Sequence, residues 1–520
     1  MVISAGFYPN PVPGFIFTAL VSAGFALVAL WLAVREFGPT ARRRRAAGHR
    51  PVWRHHGAGN GDRPKRILVV GGGAVGMYTA LRLQKKLRRS QAVVTIVDPQ
   101  ARMTYQPFLP EAAAGSIEPR HVVVPLHRVL HSSEVLTGHV TRIDHASHVV
   151  TVQPRSGPPR LEHYDILVVA AGSIVRTMPI PGLAEHAIGL KTLSEAIYLR
   201  DHVLEQLETA SSTTDENLRR RALTFAVAGG GYAGVEALAE LEDMARDAIC
   251  YFPPLRQEHM RWVLVEASGR IMPEVGEDMG RYTLNELTKR GIEVKLDTRV
   301  TSMTGGHLVL SNGEHFDCGT IVWTAGVRPN PVAQRSDLPI DDRGRIKCSA
   351  TLQVEGFTDA WAAGDIAAVP DMTTPGAFCS PSAQHAVRQA RRLGRNLVAV
   401  VRGREPSPYR HKYAGSVASL GLHKGVAQVY GVKLRGMPAW LMHRIYHVSR
   451  MPTSDRKLQV TLDWGLAMFF RRDIVSLGDC ENPRRQFREA VREETGKPQA
   501  RGRAVIVEPQ PGERRLTPTR

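Results

Sequence analysis

Two glycine-rich turns have the residue types and spacing to hold the phosphates of a nucleotide. Residues Gly71–Gly76 read Gly-Gly-Gly-Ala-Val-Gly, and residues Gly229–Gly234 read Gly-Gly-Gly-Tyr-Ala-Gly. Each turn follows an apolar run typical of a β-strand and opens a stretch typical of a helix. Glycines at this spacing let a pyrophosphate approach the backbone at a helix N-terminus. Two such turns predict two dinucleotides, and the usual chemistry of such a pair is hydride transfer from a nicotinamide to a flavin.

An acidic residue ends the next strand-like run in each unit. Asp98 follows Val93–Val97, and Glu266 follows Trp262–Val265. A carboxylate at this place can accept hydrogen bonds from a ribose diol. Glu266 lies farther from its turn than Asp98 does, and a helical stretch over residues 240–254 is expected to account for the surplus. The alternative is that both acids are strand-end surface carboxylates.

Composition excludes several classes of protein. The chain has 520 residues, 43% of them apolar, and a formal net charge of +19. Much of this charge lies in residues 42–66, which contain no nucleic-acid motif and are better explained as a basic segment beside a membrane. The five cysteines lack disulfide or dithiol spacing, and the histidines and cysteines lack metal-ligand spacing. We expect reduced, isolated thiols, no metal and no nucleic-acid partner.

The N-terminal region predicts a membrane span. Residues 14–34 are apolar except for Thr18 and Ser22, and no Lys or Arg precedes them, whereas several Arg residues follow. As a helix this run would cross a bilayer core. A signal peptide, the rival interpretation, has the opposite charge polarity. The positive-inside rule then places the N-terminus outside and the catalytic body on the cytoplasmic side of the cell membrane. Residues 1–40 are thus the predicted transmembrane segment and residues 41–65 a basic linker.

Three further motifs carry a family resemblance. They are Tyr105–Glu111 with Gly115 and Ser116, Trp323–Asn330, and Ala363–Asp365 joined to Ser382–Ala386. With the two glycine turns, they make residues 66–478 resemble the type II NADH:quinone oxidoreductases, single-subunit enzymes of the two-dinucleotide flavoprotein disulfide-reductase superfamily. The resemblance implies an α/β fold with two Rossmann-like dinucleotide-binding domains of the glutathione-reductase type. The N-terminal transmembrane helix that the apolar run predicts would precede them and is not typical of this family, and a C-terminal amphipathic membrane-anchoring region would follow.

The resemblance also implies domain limits and site residues. The FAD-binding domain would span residues 66–180 and 331–410, the NADH-binding domain residues 181–330, the membrane-association region residues 411–480, and a disordered tail residues 481–520. FAD would be bound by Gly71, Gly73, Ala74, Gly76, Asp98, Gln106, Val140, Ala171, Gly172, Gly364, Asp365, Ala383 and Gln384. NADH would be bound by Gly229, Gly231, Tyr232, Gly234, Glu236, Glu266, Ala325 and Gly326.

The catalytic residues implied by the resemblance are Glu236, Gln384 and Arg388. Gln384 would line a quinone pocket over the flavin, and the helix starting near Ala383 would point its N-terminus at the flavin ring. Arg388 stands where the family usually has a second Gln, so it either hydrogen-bonds a quinone oxygen or is a plain helix-surface arginine. Glu236 would lie near both substrates, or would simply be a first-turn helix acid. For Asp365 the alternative to a flavin ligand is a helix N-cap.

The expected partners are a membrane quinone, the lipid bilayer and, as a possibility, a second copy of the chain. The apolar and basic stretches at residues 439–450 and 464–472 suit an anchor at the membrane interface, or ordinary core or dimer packing. Two rival functions stay open. A sulfide:quinone oxidoreductase needs a redox cysteine pair, and no cysteine precedes Cys250. A flavoprotein sensor would bind NADH without turnover.

Overall fold

A computed structural model of the chain describes residues 63–411, 415–467, 470, 472–476 and 488. The predicted membrane span, most of the basic linker and nearly all of the predicted tail lie outside these residues. Within the described ranges, no helix is both long and apolar enough to cross a membrane.

The first part of the chain alternates apolar strands with short helices. Its strands are β1 (Lys65–Val70), β2 (Ala92–Asp98), β3 (Arg102–Thr104), β4 (Val123–Pro125), β5 (Glu134–Asp144), β6 (Val149–Pro154), β7 (Arg160–His163), β8 (Ile166–Val169) and β9 (Ser173–Val175). Its helices are α1 (Ala74–Lys86), α2 (Leu109–Ala113) and α3 (Leu126–Val129), with 3₁₀ turns at Gln106–Phe108 and Pro119–Val122. Strands β1 and β8 end in fully buried apolar runs, as expected where helices cover both faces of a parallel sheet.

The middle part repeats this pattern. Its helices are α4 (Leu183–His186), α5 (Leu193–Ser212), α6 (Glu216–Ala222), α7 (Tyr232–Ala248) and α8 (Glu277–Lys289). Its strands are β10 (Ala187–Gly189), β11 (Thr224–Ala228), β12 (Arg261–Val265), β13 (Glu293–Lys295), β14 (Val300–Ser302), β15 (His307–Leu310), β16 (His315–Asp317), β17 (Thr320–Trp323) and β18 (Val327–Pro329). The helix expected over residues 240–254 ends earlier, at Ala248, and 3₁₀ turns at Ile249–Tyr251 and Gln257–His259 occupy the rest of the surplus.

The last described part contains β19 (Ile346–Lys347), β20 (Ala360–Ala362), β21 (Ala367–Ala368), β22 (Gly415–Ser419), β23 (Gly425–Val429) and β24 (Val432–Arg435). Its helices are α9 (Ala383–Val401), α10 (Met437–Arg450) and α11 (Ser454–Leu466). Strands β22 to β24 form an antiparallel sheet ahead of the two C-terminal helices. Helix α11 ends at Leu466, within the apolar stretch that the sequence suggested from Trp464 to Phe470.

Two parallel sheets organise the described chain. The first has the order β20-β8-β1-β2-β5-β6-β7, parallel from β20 to β5. The second has the order β10-β17-β11-β12-β13 and is parallel throughout. Strand β20 belongs to the first sheet but follows all strands of the second sheet in the chain. Strand β9 pairs with β18. In such sheets ligands bind outside the carboxyl ends of the strands, which is where both glycine turns lie.

Candidate active site

The first glycine turn has a backbone that only glycine fits. Gly71 has a φ of 104°, and a Cβ on it would lie 2.4 Å from the Ala170 carbonyl oxygen. A Cβ on Gly76 would lie 1.8 Å from the Gly71 carbonyl oxygen. Asp98, at the end of β2, accepts a hydrogen bond from the Gly72 N–H at 2.8 Å. These contacts fix the turn, the start of α1 and Asp98 relative to one another.

The second turn reproduces this geometry. Gly229 has a φ of 117°, and a Cβ on Gly234 would lie 1.8 Å from the Gly229 carbonyl oxygen. The Gly230 N–H donates to Glu266 at 2.6 Å, while the Ser268 N–H donates to the other carboxylate oxygen at 2.7 Å. Glu266 therefore stands at its own turn as Asp98 stands at the first, despite the longer loop before it.

The N-termini of α1 and α7 are open. Gly73 and Gly231 are their N-cap residues, and a Cβ added to Gly73 would meet no atom within 4 Å, while one on Gly231 would meet only Glu274, at 4.0 Å. Within the described chain, neither helix has a side chain that caps it. Free N–H groups beside an open space at a helix N-terminus suit a pyrophosphate. Both turns thus fit a dinucleotide, with Ala74 and Tyr232 as the first helical residues.

A cavity of about 1360 Å³ joins the second turn to the third part of the chain. Glu266 and Gly229 lie on its wall, as do Gln106, Glu236 and the start of α9. The remaining predicted residues on this wall are Gly231, Tyr232, Gly234, Ala325, Gly326, Ala383, Gln384 and Arg388. Residues predicted for a nicotinamide dinucleotide and for electron transfer thus share one space.

Asp365 lies at the sheet end with a polar partner set that the sequence did not indicate. Its carboxylate accepts a hydrogen bond from the Ser173 hydroxyl at 2.6 Å, and the Lys191 Nζ lies 3.0 Å from that hydroxyl. Burial lowers the pKa of Lys191, and the nearby Asp365 and Glu195 oppose this shift. The Gln106 side chain donates to the Lys191 carbonyl at 3.2 Å. Ser173 and Lys191 belong to the site, but no local motif marks them.

Gly364 turns the chain beside Asp365. Its N–H donates to the buried Gln389 side chain at 2.7 Å, and a Cβ on it would lie 2.8 Å from Val75 of α1. Gln389 therefore fixes α9 to the end of β20. Because a Cβ at Gly394 would also lie 2.8 Å from Arg82, α9 packs closely on α1, which sets the place of its N-terminus.

Other residues predicted for FAD lie along the first sheet. Ala171 and Gly172 follow β8, where Asn330 donates its N–H to the Gly172 carbonyl at 3.0 Å. Val140 is on β5, three residues beyond Thr137, the residue paired with Asp98. It is partly buried against the core of this sheet. These residues therefore belong to the same sheet as the first turn.

The start of α9 presents polar groups to the cavity. The Ser382 hydroxyl caps the helix by accepting from the His385 N–H at 3.2 Å. The Gln384 side chain donates to the Gly415 carbonyl at 2.8 Å, and so its amide is held against β22. Ser382, rather than Asp365, is the N-cap of the nearby long helix.

Arg388 contacts a histidine. Its Nη1 lies 2.9 Å from Nε2 of His411, and the His411 ring lies 4.7 Å from the ring of His385. Burial, Arg388 and His385 together lower the pKa of His411 to about 4. His385 bonds to the Tyr409 hydroxyl at 3.0 Å. Arg388 lines the cavity, so it is not an ordinary helix-surface arginine.

Glu236 enters the cavity wall from a buried position on α7. It accepts a hydrogen bond from the Ser419 N–H at 2.9 Å, and its Oε1 lies 3.2 Å from Nε2 of His443. Burial raises the pKa of Glu236 to about 8, the Ser419 N–H opposes the shift, and Glu240 adds to it. Glu236 can therefore hold a proton at neutral pH, which a solvated first-turn acid would not do.

Known proteins with a similar sequence or fold place these features in context. The chain matches the family described as pyridine nucleotide-disulphide oxidoreductase over residues 65–390, well over half of its length. The chain belongs to this family. It is 28% identical to a probable NADH dehydrogenase of Dictyostelium discoideum, over 79% of this chain and 91% of that one. It is 27% identical to the type II NADH:quinone oxidoreductase Ndh of Mycobacterium tuberculosis, over 79% of this chain and 89% of that one.

Solved structures agree on the fold of this pyridine nucleotide-disulphide oxidoreductase. NDH2 from Plasmodium falciparum in complex with NADH superposes with a TM-score of 0.74 at 17% identity, over 79% of this chain and all of that one. The sulfide:quinone oxidoreductase of Aquifex aeolicus gives a TM-score of 0.61 at 15% identity, over 79% of this chain and 96% of that one. At these identities the two structures show the α/β fold with dinucleotide-binding domains and nothing finer.

Cys318, Cys348 and Cys379 do not suit the disulphide chemistry in the family's description, whereas Cys250 is exposed. Cys318 and Cys348 are buried, and burial raises the pKa of the Cys318 thiol to about 12. Burial also raises the pKa of Cys379, to about 11. A thiol attacks a disulfide as the thiolate, which these values disfavour.

Proposed function

We propose that this chain is an FAD-dependent NADH:quinone oxidoreductase. The observation that carries the proposal is the single cavity that extends from the second glycine turn and Glu266 to Glu236, Gln384 and Arg388. Relatives named as type II NADH:quinone oxidoreductases, matched over most of their length, support it. FAD, when bound, would accept a hydride from NADH and return two electrons to a quinone.

The two turns would hold the two cofactors. In this proposal the Gly71–Gly76 turn would bind the FAD phosphates, Asp98 the FAD ribose and Asp365 the ribityl chain. The Gly229–Gly234 turn would bind the NADH pyrophosphate, and Glu266 the ribose diol. Both carboxylates are already oriented by a turn N–H and keep oxygen lone pairs for a ribose hydroxyl.

The groups around the flavin ring would supply orientation and charge. The N-terminus of α9 presents its free N–H groups and positive dipole end, which stabilise negative charge nearby. Lys191 adds a cation held close to Asp365, with 3.9 Å between Nζ and the carboxylate oxygen. Neither group needs to move during the reaction, and preorganised charge of this kind lowers a barrier most effectively.

The quinone would be recognised at the α9 wall. Gln384 and Arg388 are one helical turn apart and both line the cavity, so they can donate to one head group. An arginine in place of a second glutamine gives a stronger, charged donor. Its contact with His411 holds the guanidinium at the wall.

The experiment for this function is an oxidation assay with the full-length protein in membranes. NADH and a short-chain quinone should give steady turnover, whereas sulfide with the quinone, and NADH with a disulfide, should not. Sulfide-dependent quinone reduction would favour the rival oxidoreductase. Binding of NADH without quinone-dependent turnover would favour a sensor and overturn the proposal.

We also propose attachment to the cytoplasmic face of the cell membrane. Exposed apolar side chains on and after the two C-terminal helices support an interfacial anchor: Ile445, Leu462, Leu466 and Phe470. The apolar residues 14–34 would add one span with the N-terminus outside. Thiol labelling of Ser4→Cys in intact cells tests this orientation. If the Ser4→Cys thiol is protected while a cysteine placed in the linker is labelled from outside, the proposed orientation is wrong.

The same exposed apolar residues could instead pack between two copies of the chain. Ile445→Ser with Leu466→Ser should weaken vesicle binding of a protein lacking residues 1–40, while the matched exposed change Leu161→Ser on β7 should not. Sedimentation of both variants distinguishes the bilayer from a second copy of the chain as the partner of these residues. Loss of a dimer with unchanged vesicle binding would favour a homodimer.

A further inference from the structure

A cluster of buried acids and bases lies behind the Glu236 wall of the cavity. Glu111 on α2 and His443 on α10 belong to it, and both are almost fully buried. His443 stands between two carboxyl groups, with its Nε2 3.2 Å from Glu236 Oε1 and its Nδ1 3.7 Å from Glu111 Oε1. Glu236 lines the cavity, whereas Glu111 and His443 are not among the residues of its wall. The three side chains form a line leading inward from the cavity.

The titratable groups that face this line come from several elements. They are Glu111 of α2, Glu236 and Glu240 of α7, His443, Arg444 and His447 of α10, and Arg472 after α11. Three carboxyl groups thus face two guanidinium groups. Burial lowers the pKa of His443 to about 3, with Arg444 adding to this shift, so His443 is neutral at neutral pH. One carboxyl group has no cationic counterpart, and a buried unpaired carboxylate is costly.

The excess charge is removed most simply by one proton. Burial raises the pKa of Glu111 to about 7, against the nearby Arg444, and the pKa of Glu236 is also raised. Within the described chain, Glu111 Oε1 and both ring nitrogens of His443 have no partner in hydrogen-bond geometry. The line therefore has an acid at each end and an imidazole between them that can pass a proton without gaining charge.

The Arg444 cation beside the line is held by aromatic contacts. The Arg444 guanidinium lies over the rings of Trp440 and Trp464, at 4.1 and 4.4 Å from their centroids. Trp464 also donates its Nε1–H to Glu111 Oε2 at 2.8 Å. Because the cation is held between two indoles, it cannot swing away to pair fully with whichever acid is ionised. Its Nη2 is 4.0 Å from Glu111 Oε2.

The reaction needs such a proton. Reduction of a quinone to a quinol takes two electrons and two protons, whereas a hydride carries two electrons and one proton. We propose that Glu111 and His443 form a buried proton store that recharges Glu236, so that the cavity supplies the one proton that a hydride does not carry. This role rests on the proposed quinone reductase activity.

The step balances as follows for each turnover. The stored proton leaves Glu111 for His443 Nδ1 while His443 Nε2 gives its own proton to Glu236. The Glu236 O–H bond then breaks as an O–H bond forms on the quinone. Water in the cavity protonates Glu236 again, and the same two transfers in reverse return the proton to Glu111 and His443 to its first tautomer. Glu111 and His443 touch no substrate and are positioning residues.

The test uses Glu111→Gln in the full-length holoenzyme, with stopped-flow measurement of flavin reoxidation by a short-chain quinone across pH. Removal of this carboxyl leaves two carboxyl groups with two guanidinium groups, so Glu236 should release its proton at lower pH. The pH above which flavin reoxidation slows should fall by about one unit. Well above that pH, reoxidation should be about tenfold slower than in the unaltered enzyme. Flavin reduction by NADH should be unchanged. Glu242→Gln is the matched control, because Glu242 is a buried acid on α7, the helix of Glu236, and pairs with Arg246 and Arg290.

A second measurement needs no variant at Glu111. Infrared spectra of the unaltered enzyme near pH 7 should contain a protonated carboxylic acid band, and His443→Gln should shift it. An unshifted pH limit in a folded Glu111→Gln protein, or the absence of that band in the unaltered enzyme, overturns the store. Neither result touches the proposed function, which fails instead if NADH never drives quinone reduction in the unaltered enzyme.

Discussion

Helix α7 connects two regions in which carboxylates behave in opposite ways. At its start, the Gly230 N–H of the glycine turn and the Ser268 N–H hold the Glu266 carboxylate. A few residues along the same helix, Glu236 is packed beside His443 in a buried cluster where burial raises its pKa to about 8. The first acid is placed for a hydroxyl ligand and the second for a proton. Both acids are glutamates, so the surroundings decide the chemistry.

The largest expected effect comes from the turn. Gly234→Ala puts a Cβ 1.8 Å from the Gly229 carbonyl oxygen, so the backbone must move. We expect a loss of about 3 kcal/mol or more in the free energy of unfolding, and loss of NADH binding. Gly231→Ala is the control, because the nearest atom to its Cβ would be 4.0 Å away. It should stay folded in thermal denaturation and bind NADH more weakly, and equal melting of both variants would contradict the turn geometry.

A smaller effect separates the cofactor end of the cavity from the acceptor wall. Gln384→Ala or Arg388→Ala should slow flavin reoxidation by quinone by about tenfold, the worth of one hydrogen bond to a substrate. Flavin reduction by NADH should change little. Arg395→Ala, on an exposed part of the same helix, should change neither half-reaction in stopped-flow traces. An equal loss of rate in both half-reactions would indicate that these substitutions disturb folding rather than quinone binding.

The pH dependence of stability tests the buried region by itself. A carboxyl whose folded pKa is raised to about 8 stabilises the fold fully below its unfolded pKa of about 4.5, and this contribution is lost as pH rises through 8. Glu111, with a pKa raised to about 7, acts in the same direction. Urea unfolding should therefore show stability falling by about 1 kcal/mol or more between pH 5 and 8. Glu236→Gln should flatten this slope, and an unchanged slope would mean that Glu236 is ionised.

The smallest effect is the cofactor preference set at the turn. Glu266 should favour NADH because its carboxylate binds a ribose 2′-hydroxyl and repels a 2′-phosphate. Glu266→Ala should narrow the ratio of kcat/KM for NADH over NADPH by about fivefold, with Arg270 nearby limiting the original preference. Glu258→Ala, another exposed acid of this unit, is the control. Equal kcat/KM values for both cofactors in the unaltered enzyme would contradict the role of Glu266.

The two glycine-rich turns were predictable because their constraints are local. Tight backbone contact, such as that between Gly76 and Gly71, requires glycine whatever the rest of the chain does. The strand that ends at Asp98 was also correct, since its apolar run is a short-range signal. The helix that the family resemblance implied near Ala383 begins at that residue. The helix expected up to Pro254 was wrong in its length, because its last residues form 3₁₀ turns instead.

Other parts depended on contacts between distant segments. Lys191 and Ser173 join Asp365 only because β20 is inserted beside β8 after the second sheet. Glu111 closes one of the family motifs, but nothing in the sequence paired it with His443, which comes from a helix more than 300 residues away.

The sequence by itself determined the two nucleotide turns, their acids and the strand–helix order, because each depends on residues close together in the chain. Tertiary structure decided which acids are ionised and which hold protons. The pKa of a carboxyl group depends on the water, charges and donors around it, and for Glu236 the Ser419 N–H on β22 and His443 on α10 reach the carboxyl only through tertiary packing. It also decided that Arg388 faces the cavity, since only the packing of α9 on α1 and its contact with His411 fix that direction.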